Sequence, residues 1–277
     1  MNFIGRLMTS GIVAASVAIS FAPATAEDFY KGKQVTLVVG YGAGGGFDFF
    51  ARVLATHYGR YIPGNPTVVV QNMPGASSVK AANYLFSAAK KDGTVLGALG
   101  STLALNQLLG RPGKYDAGKF YWVGRLAAGD TVGIVWHAAG VKSVEGLKKK
   151  QVVWAGGSRM GPNVMLAAAL NNLLGTQLKI VQGYKGSSKM IAAMEQQEAE
   201  ATITGWSALK NRKSHLLSGN KVNVLFYMGY EREASLPNVP TLIEIGQTDE
   251  ARQIFKLLTS REVVGRNYNA PPGIPAA

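Results

Sequence analysis

The sequence predicts an α/β protein of two facing lobes. Three observations carry that reading. Short β-branched runs alternate with helical patterns, the alternation occurs twice, and each half opens with a strand, a glycine loop and a helix. A length of 277 residues suits two lobes of roughly 100–150 residues each. No low-complexity linker separates the halves, so the connections are expected to be short, near 128–132 and 228–232.

The elements follow in order. Val35 to Val39 reads as a buried strand, Gly40 to Gly46 as a glycine loop, and Asp48 to Tyr61 as a helix, with Phe50, Val53, Leu54, His57 and Tyr58 at helical spacing. Thr67 to Gln71 is a second strand, closed by the turn Asn72-Met73-Pro74-Gly75. A helix over 78–90 and a strand over Thr94–Leu99 complete β-α-β-α-β, the pattern of a parallel sheet covered by helices. The second half repeats it: strand Val152–Ala155, loop Gly156–Pro162, helix Asn163–Leu174, strand Lys179–Val181, helix 187–197, strand Ala201–Ile203, helix 206–217 and strand Val222–Phe226.

The N-terminus reads as an export signal. Arg6 supplies the positive start, Leu7 to Ala22 is almost unbroken apolar sequence, and Ala24-Thr25-Ala26 offers small residues for cleavage after Ala26. The apolar run is short for a transmembrane helix, which needs about 20 residues. Residues 1–26 are therefore expected to be a signal peptide and the mature chain to be exported. Losing Arg6 lowers the net charge from +13 to +12, so the positive excess belongs to the mature protein. Such an excess suits nucleic acid, an acidic surface or small anions, and export argues against nucleic acid. The absence of cysteine excludes disulfides, thiolate metal sites and cysteine nucleophiles. None of the three histidines sits in a metal-ligand spacing, and neither a metal nor a cofactor is expected.

Gly40-Tyr41-Gly42-Ala43-Gly44-Gly45 satisfies G-x-G-x-x-G after a strand and before a helix. A dinucleotide site also needs an acid after the second strand, yet Phe49 to Lys91 contains no Asp or Glu. What survives is the physics of the motif. Unpaired N–H groups at a helix N-terminus, reached through glycines, hold a phosphate or a carboxylate equally well. The bland alternative is a turn that merely needs glycine. Gly156 to Asn163 occupies the same position in the other half and adds Ser158, Asn163 and the Arg159 guanidinium, so two donor-rich loops are expected to grip the two ends of an anion. Asp48 is expected to cap the first helix, an N-terminal acid on the dipole.

Further segments carry a family resemblance. Val38 to Asp48 resembles V-x-x-x-x-G-G-x-x-D. Val69 to Ala76, Lys91-Asp92-Gly93-Thr94, Gly183-Tyr184-Lys185-Gly186, Leu236 to Thr241 and Ala270 to Pro275 follow in the same order and spacing. Across nearly all of 30–277 the chain resembles the periplasmic solute-binding proteins of tripartite tricarboxylate transporters, the Bug or TctC-like family. The resemblance implies a Venus-flytrap fold of two α/β lobes, with mixed sheets and helices on both faces, that closes on a carboxylate. It implies lobe 1 over 27–128 plus 231–277, lobe 2 over 129–230, membrane transporter subunits as partners, and a monomer.

Ligand contacts implied by the resemblance, together with the donors read above, fall on Tyr41, Gly44, Gly45, Gly46 and Asn72. Others fall on Ser101 and Thr102, on Ser158, Arg159, Gly161 and Asn163, on Tyr184, and on Thr204 and Trp206. Two departures stand out. Thr204-Gly205-Trp206 lacks the family's commoner acidic or Asn-bearing pattern, and Arg159 and Asn163 replace its Ser-His. Family chains also continue past the Pro-Pro-Gly segment, so a C-terminal helical portion is expected to be missing after Ala277.

Two other classes compete, an exported hydrolase acting on a small anionic substrate and an extracytoplasmic ligand sensor. The hydrolase lacks a G-x-S-x-G elbow, and its paired acids would have to come from Glu195, Glu198 and Glu200, which read as a solvated helix end. Lys148-Lys149-Lys150 and Lys210, Arg212 and Lys213 read as helix ends, while Trp154 and Trp206 suit either a cleft wall or, the commoner place for tryptophan, the core. No catalytic residue is expected.

Overall fold

The computed structural model describes residues 29–275. The expected signal peptide lies outside the described residues. Among the described residues no helix is long and apolar enough to cross a membrane.

Two five-stranded sheets organise the chain. The first contains β1 (Gln34–Val39), β2 (Thr67–Asn72), β3 (Val95–Ala98), β4 (Tyr121–Arg125) and β10 (Asn267–Ala270), in the order β2-β1-β3-β10-β4. The second contains β5 (Thr131–Trp136), β6 (Val152–Ala155), β7 (Leu178–Val181), β8 (Ala201–Gly205) and β9 (Val222–Tyr227), in the order β7-β6-β8-β5-β9. Each sheet has three parallel strands, an antiparallel fourth supplied by the chain as it arrives from the other lobe, and a fifth that pairs antiparallel with the fourth at the edge. The sheets are thus topological repeats, as the doubled strand–loop–helix pattern predicts.

Helices α1 (Gly46–Tyr58), α2 (Val79–Ser87) and α3 (Leu103–Leu108) belong to the first lobe. The second lobe holds α4 (Val144–Lys149), α5 (Pro162–Leu174), α6 (Ser187–Glu195), α7 (Trp206–Arg212) and α8 (Ser214–Ser218), followed by α9 (Asp249–Thr259) and α10 (Arg261–Val264). The strand β1 is apolar on both faces because both are covered. Val35, Leu37 and Val39 meet Phe47 and Ala51 of α1, while Val38 meets Ala82 and Leu85 of α2. Each such buried aliphatic side chain contributes about 1.5–3 kcal/mol. The second sheet is likewise sandwiched, with Trp154, Leu166 and Leu170 on one face and Met190, Met194 and Leu209 on the other.

The chain crosses between lobes twice, side by side. Leu126 N–H donates to Arg266 O at 3.1 Å, Arg266 N–H to Ala127 O at 2.9 Å and Gly129 N–H to Glu262 O at 2.7 Å. The first crossing falls near the expected 128–132. The second does not fall at 228–232, and the boundary at 231 needs correcting. Leu242, Ala251 and Phe255 are fully buried in the second lobe's core, and Thr241 bridges to Tyr227, so the chain returns only at 260–266. The expected helix over 206–217 is also two helices, broken at Lys213, whose φ/ψ of −133°/31° is not helical.

Candidate functional site

The two glycine loops, from separate sheets, open onto one cavity of about 240 Å³ between the lobes. From the first lobe, the β1–α1 loop enters α1 through Gly45 in extended conformation without a side-chain cap. The N–H groups of Gly46, Phe47 and Asp48 precede the first helical hydrogen bond, which Phe49 N–H makes to Gly45 O at 2.9 Å. Gly44 adopts φ +78°, a conformation that favours glycine.

Asp48 braces this loop from beneath. Its side chain is buried and accepts from Gly44 N–H at 2.8 Å, Asn72 Nδ2 at 2.8 Å and Arg52 Nε at 2.9 Å, while Asn72 Nδ2 also donates to Tyr41 O at 3.0 Å. Burial pushes the Asp48 pKa up, but hydrogen bonds from Arg52, Gly44 and Asn72 outweigh it and hold the carboxyl below its ordinary value. Asp48 is therefore not the cap expected of it: Gly45 holds that position without a side-chain bond, and Asp48, three residues further on in the first turn, reaches back to fix the loop backbone at Gly44.

Of the predicted site residues, Tyr41, Gly45, Gly46, Ser158, Asn163, Tyr184 and Thr204 line the cavity. The others are placed elsewhere. Gly44 faces the opposing lobe, its carbonyl accepting from Ser188 Oγ and Arg212 Nη2, each at 2.7 Å. Asn72 spends its amide on Tyr41 and Asp48. Ser101 is buried behind Arg261, whose Nε stands 3.4 Å from its Oγ, and Thr102 is fully buried. Arg159 is exposed, and its carbonyl, not its guanidinium, makes the contact, accepting from Arg111 Nη1 at 3.2 Å. Gly161 packs against Ser77 of the first lobe. Trp206 is core, its Nε1 donating to Ser235 Oγ at 2.8 Å. Asn163 reaches the cavity wall but turns its Nδ2 inward to Thr202 Oγ1 at 3.1 Å.

Sequence reasoning missed several residues that the fold brings in. The turn Gly75-Ala76-Ser77 lines the cavity, and Ala76, Ser77 and Ser78 all have positive φ, held by Gly100 N–H donating to Ser78 Oγ at 2.9 Å. Met190 and Ile203 supply apolar wall. Arg261 and Arg266 arrive on the second crossing. Arg261 is 9% exposed, and its Nη1 pairs with Glu262 Oε1 at 2.7 Å. Arg266 stacks on Phe47 with its Cζ 4.8 Å from the ring centroid, and Phe47 in turn stacks on Tyr41. Burial lowers the Arg266 pKa, repulsion from Arg261 adds to this, and Glu262, Asp130 and Tyr41 pull it back. The only signal for these two arginines was their basic character in a segment without a recognisable motif.

Several contacts join the lobes around the cavity. Ser77 Oγ and Ser158 Oγ are 2.7 Å apart, Asn106 Nδ2 donates to Met160 O at 3.3 Å, and Met160 packs against the first lobe's core. The lobes are closed on each other. No Asp, Glu or His is among the cavity's lining residues, and among the described residues no group of three or more His, Asp or Glu stands together as metal ligands would.

No protein-family model matches the chain. A 91-residue stretch is 41% identical to a Cupriavidus necator protein described as "UPF0065 protein in gbd 5'region", covering 32% of this chain and 26% of that relative's length. Solved structures match over most of the chain. R. palustris Rpa4515 with adipate has a TM-score of 0.70 at 23% identity, covering 88% of this chain and 79% of that one. The periplasmic binding protein BugD has a TM-score of 0.68 at 22% identity, covering 89% and 79%. MatC from Rhodopseudomonas palustris with bound malate has a TM-score of 0.65 at 20% identity, covering 88% and 79%. With its two mixed sheets, paired crossings and shared cavity, the chain has the two-lobed fold of these periplasmic binding proteins.

Proposed function

We propose that this chain is an extracytoplasmic solute-binding protein of the tripartite tricarboxylate transporter type. It captures a small organic carboxylate between its lobes and delivers it to membrane transporter subunits. One observation carries the reading: two glycine loops on separate sheets open onto one interlobe cavity. Backbone donors at the α1 N-terminus and the Ser77 and Ser158 hydroxyls suit an anion, and closure around it gives a transporter a distinct shape to recognise. The same fold holds adipate in one solved structure and malate in another. In this reading the protein is exported to the periplasm by cleavage after Ala26, acts as a monomer and performs no catalysis. A cavity wall without a carboxylate or imidazole base supports binding over hydrolysis.

The test is a calorimetric screen of mono-, di- and tricarboxylates against the mature chain, with a turnover assay on ester substrates alongside. Saturable carboxylate binding without turnover is expected. Binding of neutral or cationic solutes alone, or ester turnover, overturns the reading.

A further inference from the structure

Arg266 is held in an unusual way. Its guanidinium lies on the Phe47 ring, with Phe50 at 6.0 Å, rather than in an ion pair. Its Nε is buried with no hydrogen-bond partner, and no carboxylate of the described residues stands within ion-pair distance. The nearest acids are engaged elsewhere: Glu262 with Arg261 and Thr131 Oγ1, and Asp130 with Ser207 N–H. A half-buried cation that no carboxylate pairs directly is costly, and stacking on an aromatic face keeps its donors free.

Its location adds a second argument. Arg266 Nη2 lies 3.5 Å from where a Cβ on Gly46 of the first lobe would stand, and 3.4 Å from the same point on Gly205 of the second. It rides on the crossing segment, against the N-terminus of α1. An anion on this guanidinium therefore touches both lobes at the hinge end of the cavity.

We propose that Arg266 is the charge-reading residue of this site, taking one carboxylate of the ligand directly on its guanidinium. The ligand is then an organic acid with an anionic group at the hinge end and an apolar body along Phe47 and Ile203. This rests on the solute-binding reading and deepens it, because backbone donors alone read geometry and partial charge, whereas a guanidinium demands a full negative charge.

The experiment compares the mature wild-type chain with Arg266→Met, Arg266→Gln and Arg266→Lys. The probes are adipate, malate, the neutral diamide of adipic acid, sulfate and phosphate. In wild type a dicarboxylate binds and its diamide does not. Arg266→Met and Arg266→Gln lose roughly 10- to 100-fold in dicarboxylate affinity, the scale of one charged hydrogen-bonded contact, and no longer distinguish acid from amide. Arg266→Lys keeps part of the preference. Without ligand, Arg266→Met melts no lower than wild type, since a half-buried charge with no ion-pair partner has been removed; a purely structural arginine predicts a lower melting temperature.

Acid-over-amide preference retained in Arg266→Met overturns the assignment and leaves the solute-binding reading standing. Sulfate or phosphate binding more tightly than every organic acid overturns the carboxylate class. A wild-type chain that binds no probe overturns both readings. If Arg266→Met does not fold, Arg266→Lys decides: wild-type affinity and selectivity there overturn the direct guanidinium contact.

Discussion

The β1–α1 loop and the β6–α5 loop have matching positions in their sheets and similar glycine content, yet the structure gives them different work. The first opens toward the cavity with free N–H groups at the start of α1, beside Arg266. The second spends its polar groups within its own lobe or on the opposite one. Proline at the first position of α5 removes a donor, Gly161 N–H bonds Ser158 O, and Asn163 turns its amide to Thr202. Its carbonyls at Arg159 and Met160 accept from the first lobe, and Met160 packs there. Both loops line the cavity and both touch the facing lobe, but the first keeps a row of N–H donors for a ligand while the second has little beyond the Ser158 hydroxyl left to offer. Equivalent motifs in a repeated fold therefore do not imply equivalent roles, because function depends on which donors remain unspent.

The sharpest way to break this division is Gly42→Ala. A Cβ there would stand 2.7 Å from Lys185 O, a backbone atom of the opposite lobe that cannot swing aside. The first lobe alone tolerates the methyl group, so the closed form bears the cost. With an overpacking penalty of about 1–3 kcal/mol on closure, ligand affinity falls roughly 10- to 100-fold while the melting temperature measured without ligand changes less than that measured with it. Calorimetry gives the affinity, and small-angle scattering shows the loss of ligand-induced compaction. Unchanged affinity removes close approach at Gly42 from the closing mechanism.

Asp48→Asn probes the brace under the first loop. It weakens the hold on Gly44 and Arg52, and a lost charged hydrogen bond to a buried acceptor costs about 1–3 kcal/mol. The Arg52 side chain is 54% exposed, so the ion pair itself adds little of this. The sign of the pH dependence follows from the depressed carboxyl pKa. Its stabilisation is present above the unfolded-state pKa, about 3.9, and is lost as pH falls through the lower folded value. Urea midpoints should therefore separate wild type from Asp48→Asn at neutral pH and converge in strong acid. A constant gap across that range removes the brace.

The parallel halves of both sheets were legible because strands covered on two faces must be continuously apolar, as in Val35–Val39 and Val152–Ala155. The strands β4, β5 and β10 were not. The edge strand β4 leaves Tyr121, Trp122 and Val123 exposed, and β10 is Asn-Tyr-Asn-Ala, with neither β-branching nor an apolar run to mark it. Its place in the sheet comes from partners more than 140 residues away in sequence, such as Asn267 Nδ2 donating to Leu99 O at 3.1 Å. The site shows the same limit. Loop residues with a local signature, such as Gly45 and Ser158, could be read, whereas Arg266 gains meaning only from Phe47, Gly46 and Gly205, which tertiary structure brings to it.

The smallest expected effect sharpens the comparison most. The Arg159 side chain is the evident anion donor of the β6–α5 loop in the sequence, and its Arg266 counterpart carries no local motif at all. Yet the Arg159 side chain is exposed and outside the cavity, and the contact at this position is made by the main-chain carbonyl, which any residue retains. Arg159→Ala should therefore leave carboxylate affinity within about twofold and stability within about 0.5 kcal/mol, the range of an ordinary surface substitution. Its only systematic effect should be a slower association rate at low salt, because it removes one charge from the positive excess that draws anions in. Stopped-flow binding at two ionic strengths measures that rate. A large loss of affinity at equilibrium would instead return the second loop to the role of ligand reader and erase the asymmetry between the two lobes.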